Sequence, residues 1–279
     1  MDKILIVGLG LIGGSYAKGL TKMGYNVYGY NRNKDAIDYA KKNKIIIDGS
    51  SEFTEDFIGE FDRIIFSLYP KVFKEYIEKY GSFIKKGAII SDVTGVKESI
   101  VTDIQNILGD RVEFIAAHPM AGKEVYGIEN ADEKIFENAN YIITPTKKNS
   151  DKGIAFATEI GEALNFRKIS LLTPKEHDEM IAFLSQLTHC IAVALMTCKD
   201  SEDLVNYTGD SFRDLTRIAN INENMWTELF LMNKSALLKE MDSFINCMSK
   251  LRDFINNEDE KRIKNMMRLS TERRKFFNK

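Results

Sequence analysis

The stretch KILIVGLGLIGGSYAKGL, Lys3 to Leu20, decides the fold. Its apolar run Ile4–Val7 is too short for a helix and suits a strand covered on both faces. Glycines follow at Gly8, Gly10 and Gly13, and helical spacing sets in directly afterwards. A G-x-G-x-x-G run that closes a strand and opens a helix is the setting in which a dinucleotide is bound. Gly8 permits the tight turn, Gly10 lets a pyrophosphate approach the backbone, and Gly13 lets the helix lie close to the strand. The backbone N–H groups at the helix start, around Leu11 and Ile12, face the phosphates.

Beyond this unit the same alternation continues. Strands are expected at Lys3–Val7, Asn26–Tyr30, Arg63–Leu68, Ala88–Asp92, Glu113–Ala117 and Tyr141–Thr144, with helices at Gly13–Met23, Lys34–Lys42, Val72–Ile84 and Val96–Leu108. That pattern predicts a parallel α/β sheet. After Thr144 only Arg167–Leu171 suggests a strand. Thr173-Pro174-Lys175-Glu176 then forms a capping box with proline at the first helical position. Met180, Phe183, Leu184, Leu187, Ile191, Val193 and Leu195 predict a broadly buried helix. From there to Lys279 the chain has no proline and only Gly209 as a glycine, so long helices are expected. The reading is a Rossmann-type dinucleotide-binding domain over 1–168, then an all-α domain over 169–279.

At the end of the second strand stand Asn31 and Arg32, where an NAD-preferring site carries Asp or Glu for the ribose 2′-hydroxyl. An amide and a guanidinium accommodate a 2′-phosphate, which a carboxylate would repel. The expected cofactor is NADP or NAD, with NADP favoured. Ser67, closing the strand Arg63–Leu68, is placed beside it.

The 279 residues are 44% hydrophobic and 29% charged with a net charge of −2, which reads as soluble and gives no bulk attraction to nucleic acid or membrane. Cys190, Cys198 and Cys247 make a poor disulfide framework and point to a reducing, cytoplasmic setting. The N-terminal apolar run is too short for a signal peptide. The most membrane-like stretch, Ile181–Cys198, contains Ser185, Gln186, Thr188 and His189 and is read as a buried helix. The Lys/Arg-rich tail after Lys261 reads as a solvated helix face. Trp226, Met225, Phe230 and Leu231 read as helical core or dimer interface.

One of the three histidines, His118, follows the strand Glu113–Ala117, at the carboxyl edge where ligands of open α/β sheets bind. The loop after Asp92 leaves the same edge. An imidazole there suits a base working near neutral pH.

The motifs GLGLIG, SDVTGVK, HPMAGKE, SQLTH and FRDLTRIA, in this order, resemble the prephenate/arogenate dehydrogenase family of tyrosine biosynthesis, from Lys3 to about residue 270. The resemblance implies a nucleotide-binding domain followed by a helical domain that forms a homodimer. It implies oxidative decarboxylation of prephenate to 4-hydroxyphenylpyruvate with hydride transfer to NAD(P)+, or the arogenate reaction giving tyrosine. By this resemblance His118 binds and helps deprotonate the ring 4-hydroxyl, Arg217 pairs with a substrate carboxylate, and His189 lines the pocket. Glu124, Arg213 and Asp214 match a charged gate. The family often has a serine where this chain has Gly95, which makes Thr94 a candidate to supply that hydroxyl. Gln186 and Thr188 stand where relatives often carry His and Pro. No mutase segment or regulatory domain is expected. His177, about 120° around the helix from His189, is expected to be structural, and no metal site is expected. Rival readings are a β-hydroxyacid dehydrogenase, which would use a lysine of its helical domain, and a nucleotide-binding sensor without chemistry.

Overall fold

The computed structural model describes residues 3–123, 125–199 and 202–277. Its eight strands are β1 Lys3–Val7, β2 Asn26–Tyr30, β3 Asp48–Ser50, β4 Arg63–Phe66, β5 Ile89–Asp92, β6 Glu113–Pro119, β7 Asn140–Thr144 and β8 Lys168–Leu171. They form one sheet in the order β3-β2-β1-β4-β5-β6-β7-β8. β1 to β6 run parallel. β7 is antiparallel to β6, and β8 is parallel to β7. The expected parallel sheet is therefore extended by two strands running the other way.

The helices around the sheet are α1 Leu11–Lys22, α2 Lys34–Lys42, α3 Glu55–Ile58, α4 Pro70–Tyr80, α5 Glu98–Leu108 and α6 Asp151–Ala163. Successive strand residues point to opposite faces, so each strand feeds two apolar layers. Ile4, Ile6, Tyr16, Leu20, Phe136 and Phe156 fill the layer under α1 and α6. Leu5, Val7, Phe66, Phe73, Ile100 and Phe114 fill the layer under α4 and α5. Ile4 to Val7 are wholly buried, as their unbroken apolar run requires. β3 and α6 escape sequence reading for different reasons. β3 is Asp-Gly-Ser and exists only because β2 offers a paired edge. α6 contains two glycines, which weaken its helical signal.

After β8 come α7 Pro174–Ile181, a π-helical segment Ala182–Gln186, α8 Leu187–Thr197, α9 Asp210–Thr216 and α10 Glu223–Met232, then α11 Lys234–Asn256 and α12 Glu260–Arg274. The capping box at Thr173 is present, with Pro174 at the first helical position. The chain divides into compact units between Asn233 and Lys234. The reason is packing. Leu229 of α10 belongs to the apolar layer under α4 and α5, with Met225 and Trp226 against it.

The most apolar 18-residue window of the continuous helical run Pro174–Thr197 has mean hydropathy 1.7, yet only 28% of it is buried. Met180, Phe183, Leu184 and Met196 are exposed. The expectation of a broadly buried helix is corrected: one side packs inward through Ile181, Ala182, Leu187 and Ala192, and the other presents apolar surface.

Candidate active site

The glycine cradle sits at the switch point where β1 lies between β2 and β4. Gly8 has φ +96°, and a Cβ there would come 2.4 Å from the Ser67 carbonyl oxygen. A Cβ on Gly13 would come 1.9 Å from the Gly8 oxygen, which no relaxation of a side chain relieves. Beside Gly10 nothing lies within 4 Å of that position, so the cradle is open where a pyrophosphate would lie. α1 has no side-chain cap and no acidic residue in its first turn, so the N–H groups of Leu11, Ile12 and Gly13 can meet an anion. Ser67 donates its N–H to the Val7 oxygen at 2.7 Å and so forms the floor of the crevice. Asn31 accepts the Leu9 N–H at 3.1 Å, tying β2 to the loop, while Arg32 is exposed. These features fit a dinucleotide.

Further along the same edge, β6 outruns β5. Its pairing with β5 ends at Ser91↔Ile115, and from Ala116 to Pro119 it pairs with β7 instead. His118 stands on this overhang, inside the strand rather than after it. Beneath it lies a fully buried ion pair. Lys97 Nζ donates to Asp92 Oδ2 at 2.7 Å, both side chains having no exposure. Lys97 Nζ also donates to the Ala117 carbonyl at 2.7 Å, and Asp92 Oδ1 accepts the Ala117 N–H at 3.1 Å. Both peptide groups before His118 are therefore clamped. A buried pair of this kind is tolerable only because each remaining donor and lone pair is used.

The backbone and hydroxyl of Thr94 also donate to Asp92 Oδ2, and the hydroxyl lies 3.0 Å from the Val96 oxygen. The Thr94 hydroxyl is thus engaged with Asp92. It is turned into the structure by the carboxylate. The position that faces the imidazole is Gly95, where a Cβ would lie 3.8 Å from His118 Nε2 and 3.4 Å from Leu229.

On its other side His118 Nδ1 meets His177 Nε2 at 2.8 Å, and His177 Nδ1 meets Asp178 Oδ1 at 2.7 Å. Asp178 accepts the N–H groups of Lys97 and Glu98, both at 2.8 Å, and so caps α5. Burial, the neighbouring His177 and the Lys97 ammonium hold the His118 pKa well below the ordinary histidine value. Burial also lowers that of His177, against the opposing pull of Asp178. His118 is therefore a neutral imidazole at pH 7, the form that accepts a proton. His177 was not expected here. Its proximity depends on α7 docking across 59 residues of chain, which no local spacing reports.

His189 stacks on Trp226, with ring centroids 3.7 Å apart and planes at 29°. Its Nδ1 donates to the Ser185 oxygen at 2.9 Å. Gln186 donates to the Leu229 oxygen and accepts from Asn233, whose amide also reaches the Asp178 oxygen. That buried network ties α7 to α10. The π-helical segment between His177 and His189 changes their relation. The roughly 100° per residue of an uninterrupted α-helix therefore does not hold across Ala182–Gln186.

Arg217 opens a short 3-10 turn, Arg217–Ala219, that packs against α8, the helix carrying His189. Its side chain is exposed. Arg213 pairs with Asp210 at 3.1 Å on an exposed surface, and Asp214 is exposed too. Glu124 lies outside the described residues.

A model of the prephenate dehydrogenase nucleotide-binding domain matches residues 16–171, and one of the prephenate dehydrogenase dimerization domain matches residues 173–269. The chain belongs to the prephenate dehydrogenase family. It is 31% identical over 265 residues to the prephenate dehydrogenase of Bacillus subtilis (strain 168), a match covering 92% of this chain and 71% of that one. A solved prephenate dehydrogenase from A. aeolicus, in complex with hydroxyphenyl propionate and NAD+, superposes with a TM-score of 0.91 at 31% identity, covering 100% of this chain and 99% of the other. Synechocystis arogenate dehydrogenase gives 0.85 at 26% identity, with 99% of each chain covered. The protein is an NAD(P)-dependent oxidoreductase of that family.

Proposed function

We propose that the protein oxidises prephenate to 4-hydroxyphenylpyruvate and CO2 in tyrosine biosynthesis, with His118 as the base. The observation that carries this reading is the imidazole on the β6 overhang. It is neutral, clamped from below, and stands at the same sheet edge as the glycine cradle. A nicotinamide cofactor held by the glycine cradle would supply the hydride acceptor for the ring carbon that bears the hydroxyl. His118 takes the hydroxyl proton as the carbonyl forms. Cleavage of the bond to the ring carboxylate then releases CO2 and leaves a phenolate, to which the same imidazolium can return the proton. Protons and electrons balance without a further acid.

A dianionic substrate requires cations, and Arg217 offers a fork suited to one carboxylate. His189, held on Trp226, borders the same pocket in this reading. Arg213, exposed on α9, belongs to an outer gate in this reading. Residues 169–279 serve as the substrate and dimerisation part, supported by the dimerization-domain match. The exposed apolar side of α7 and α8 is the surface we assign to a second copy of the chain. Cys190, Cys198 and Cys247 are free thiols, in keeping with a cytoplasmic enzyme.

For the cofactor we favour NADP. Asn31 spends its side-chain oxygen on the Leu9 N–H, no carboxylate stands at the end of β2, and Arg32 is beside it. Arogenate is the second reading for the substrate, favoured by the likeness to an arogenate dehydrogenase.

One experiment tests all three assignments: steady-state NAD(P)H formation with prephenate or arogenate, each with NAD or NADP. It is run on the unaltered protein, His118→Asn and Arg32→Ala. Prephenate turnover is expected, with His118→Asn losing roughly 10²–10⁴ in kcat. Arg32→Ala is expected to cut the NADP-over-NAD preference about tenfold. Full turnover in His118→Asn ends the base assignment, and an unchanged cofactor preference ends the role of Arg32.

A further inference from the structure

We infer that His177, anchored by Asp178, is a positioning residue that fixes which nitrogen of His118 carries the proton. The inference rests on the reading of His118 as the base. The argument runs along one chain of hydrogen bonds. Asp178 accepts the backbone N–H groups of Lys97 and Glu98, so its carboxylate faces the site as an acceptor. Its partner at 2.7 Å, His177 Nδ1, must then be the donor. A neutral imidazole carries one N–H, so His177 Nε2 bears a lone pair. That lone pair lies 2.8 Å from His118 Nδ1, which must supply the proton of that bond. His118 Nε2 is left as the basic nitrogen, and Nε2 is the atom turned toward the bare Cα of Gly95. In the other tautomer His118 would present an N–H to the substrate hydroxyl and would set two lone pairs against each other at His177.

The arrangement is hard to explain as packing. His177 has no exposure, and a leucine would fill the space without burying two ring nitrogens. The dyad also makes the site conditional on α7. Asp178 caps α5 and orients His177 with one carboxylate, so the helix that begins the second family domain completes the base on the first. The charged and titratable groups facing His118 are His177 and Asp178 from α7, Lys97 from the loop before α5, and Asp92 from β5.

The test pairs His177→Leu with His177→Gln, whose amide oxygen can replace the Nε2 acceptor. Leu is expected to lower kcat roughly 10²–10³-fold while KM stays within about threefold. Gln should recover at least tenfold of the lost kcat. Equal kcat in the Leu and Gln variants overturns the inference. Nitrogen-15 spectra of the histidine-labelled unaltered protein give a readout that needs no variant to fold: His118 should carry its proton on Nδ1. A proton on Nε2 overturns the inference. If His118→Asn keeps full turnover, the base assignment fails instead, whatever the His177 variants do.

Discussion

The glycine cradle and the histidine site share one sheet edge, yet they are assembled differently. The cradle is a single run, Gly8 to Gly13, whose shape comes from backbone that must approach within van der Waals contact. The histidine site gathers Asp92, Lys97, His118, His177 and Asp178 from a strand end, a loop, a second strand and a distant helix. A binding surface for a fixed pyrophosphate needs close approach, which the absence of side chains provides. A base needs a defined proton, which only a chain of buried partners provides. The first is therefore sensitive to added atoms, the second to removed ones.

Gly13→Ala is the sharpest way to probe the first half of that contrast. Its Cβ would press on the Gly8 carbonyl, so a loss of about 3 kcal/mol or more in stability is expected, together with loss of cofactor binding. Gly10→Ala, with open space around it, should melt within a few degrees of the unaltered protein but bind the dinucleotide more weakly. Thermal unfolding and calorimetric cofactor titration separate the two. Equal destabilisation by both would remove the distinction.

The second half has a pH signature. His118 and His177 both have folded-state pKa values depressed below the ordinary histidine value. Below about pH 6.5 the unfolded chain binds protons that the folded chain refuses, so stability falls with acidification there. The contribution of the two groups is fully present above about pH 6.5 and is lost as pH drops toward their folded values. Denaturant unfolding at a series of pH values should show that decline in the unaltered protein and a shallower one in His177→Gln. Identical slopes would mean that His177 titrates as if exposed.

Thr94→Val tests a smaller effect. The hydroxyl serves Asp92 rather than substrate, so stability should fall by about 1–3 kcal/mol while kcat of the folded protein stays within about threefold. A large fall in kcat with unchanged stability would return Thr94 to the chemistry.

Legibility followed the same division. The strands Lys3–Val7, Asn26–Tyr30 and Glu113–Ala117, and the glycine loop between the first strand and its helix, were readable because local periodicity and backbone demands are written in neighbouring residues. β3 was not readable, since Asp-Gly-Ser becomes a strand only when β2 presents its edge. The engagement of Thr94 with Asp92 was not readable because sequence distance cannot show which way a loop side chain turns. His177, in the first turn of its helix, looked structural because no local spacing shows that the helix docks it against His118.

Sequence alone determined the nucleotide cradle, the alternation that builds the sheet, and His118 at its rim, since each depends on contacts within a few residues. Tertiary structure alone decided that β6 outruns β5, that Lys97 and Asp92 are buried beneath the imidazole, and that α7 brings His177 and Asp178 to it. Those pairings join residues up to 81 positions apart, and which partners meet is set by how the layers pack, not by any local preference of the chain.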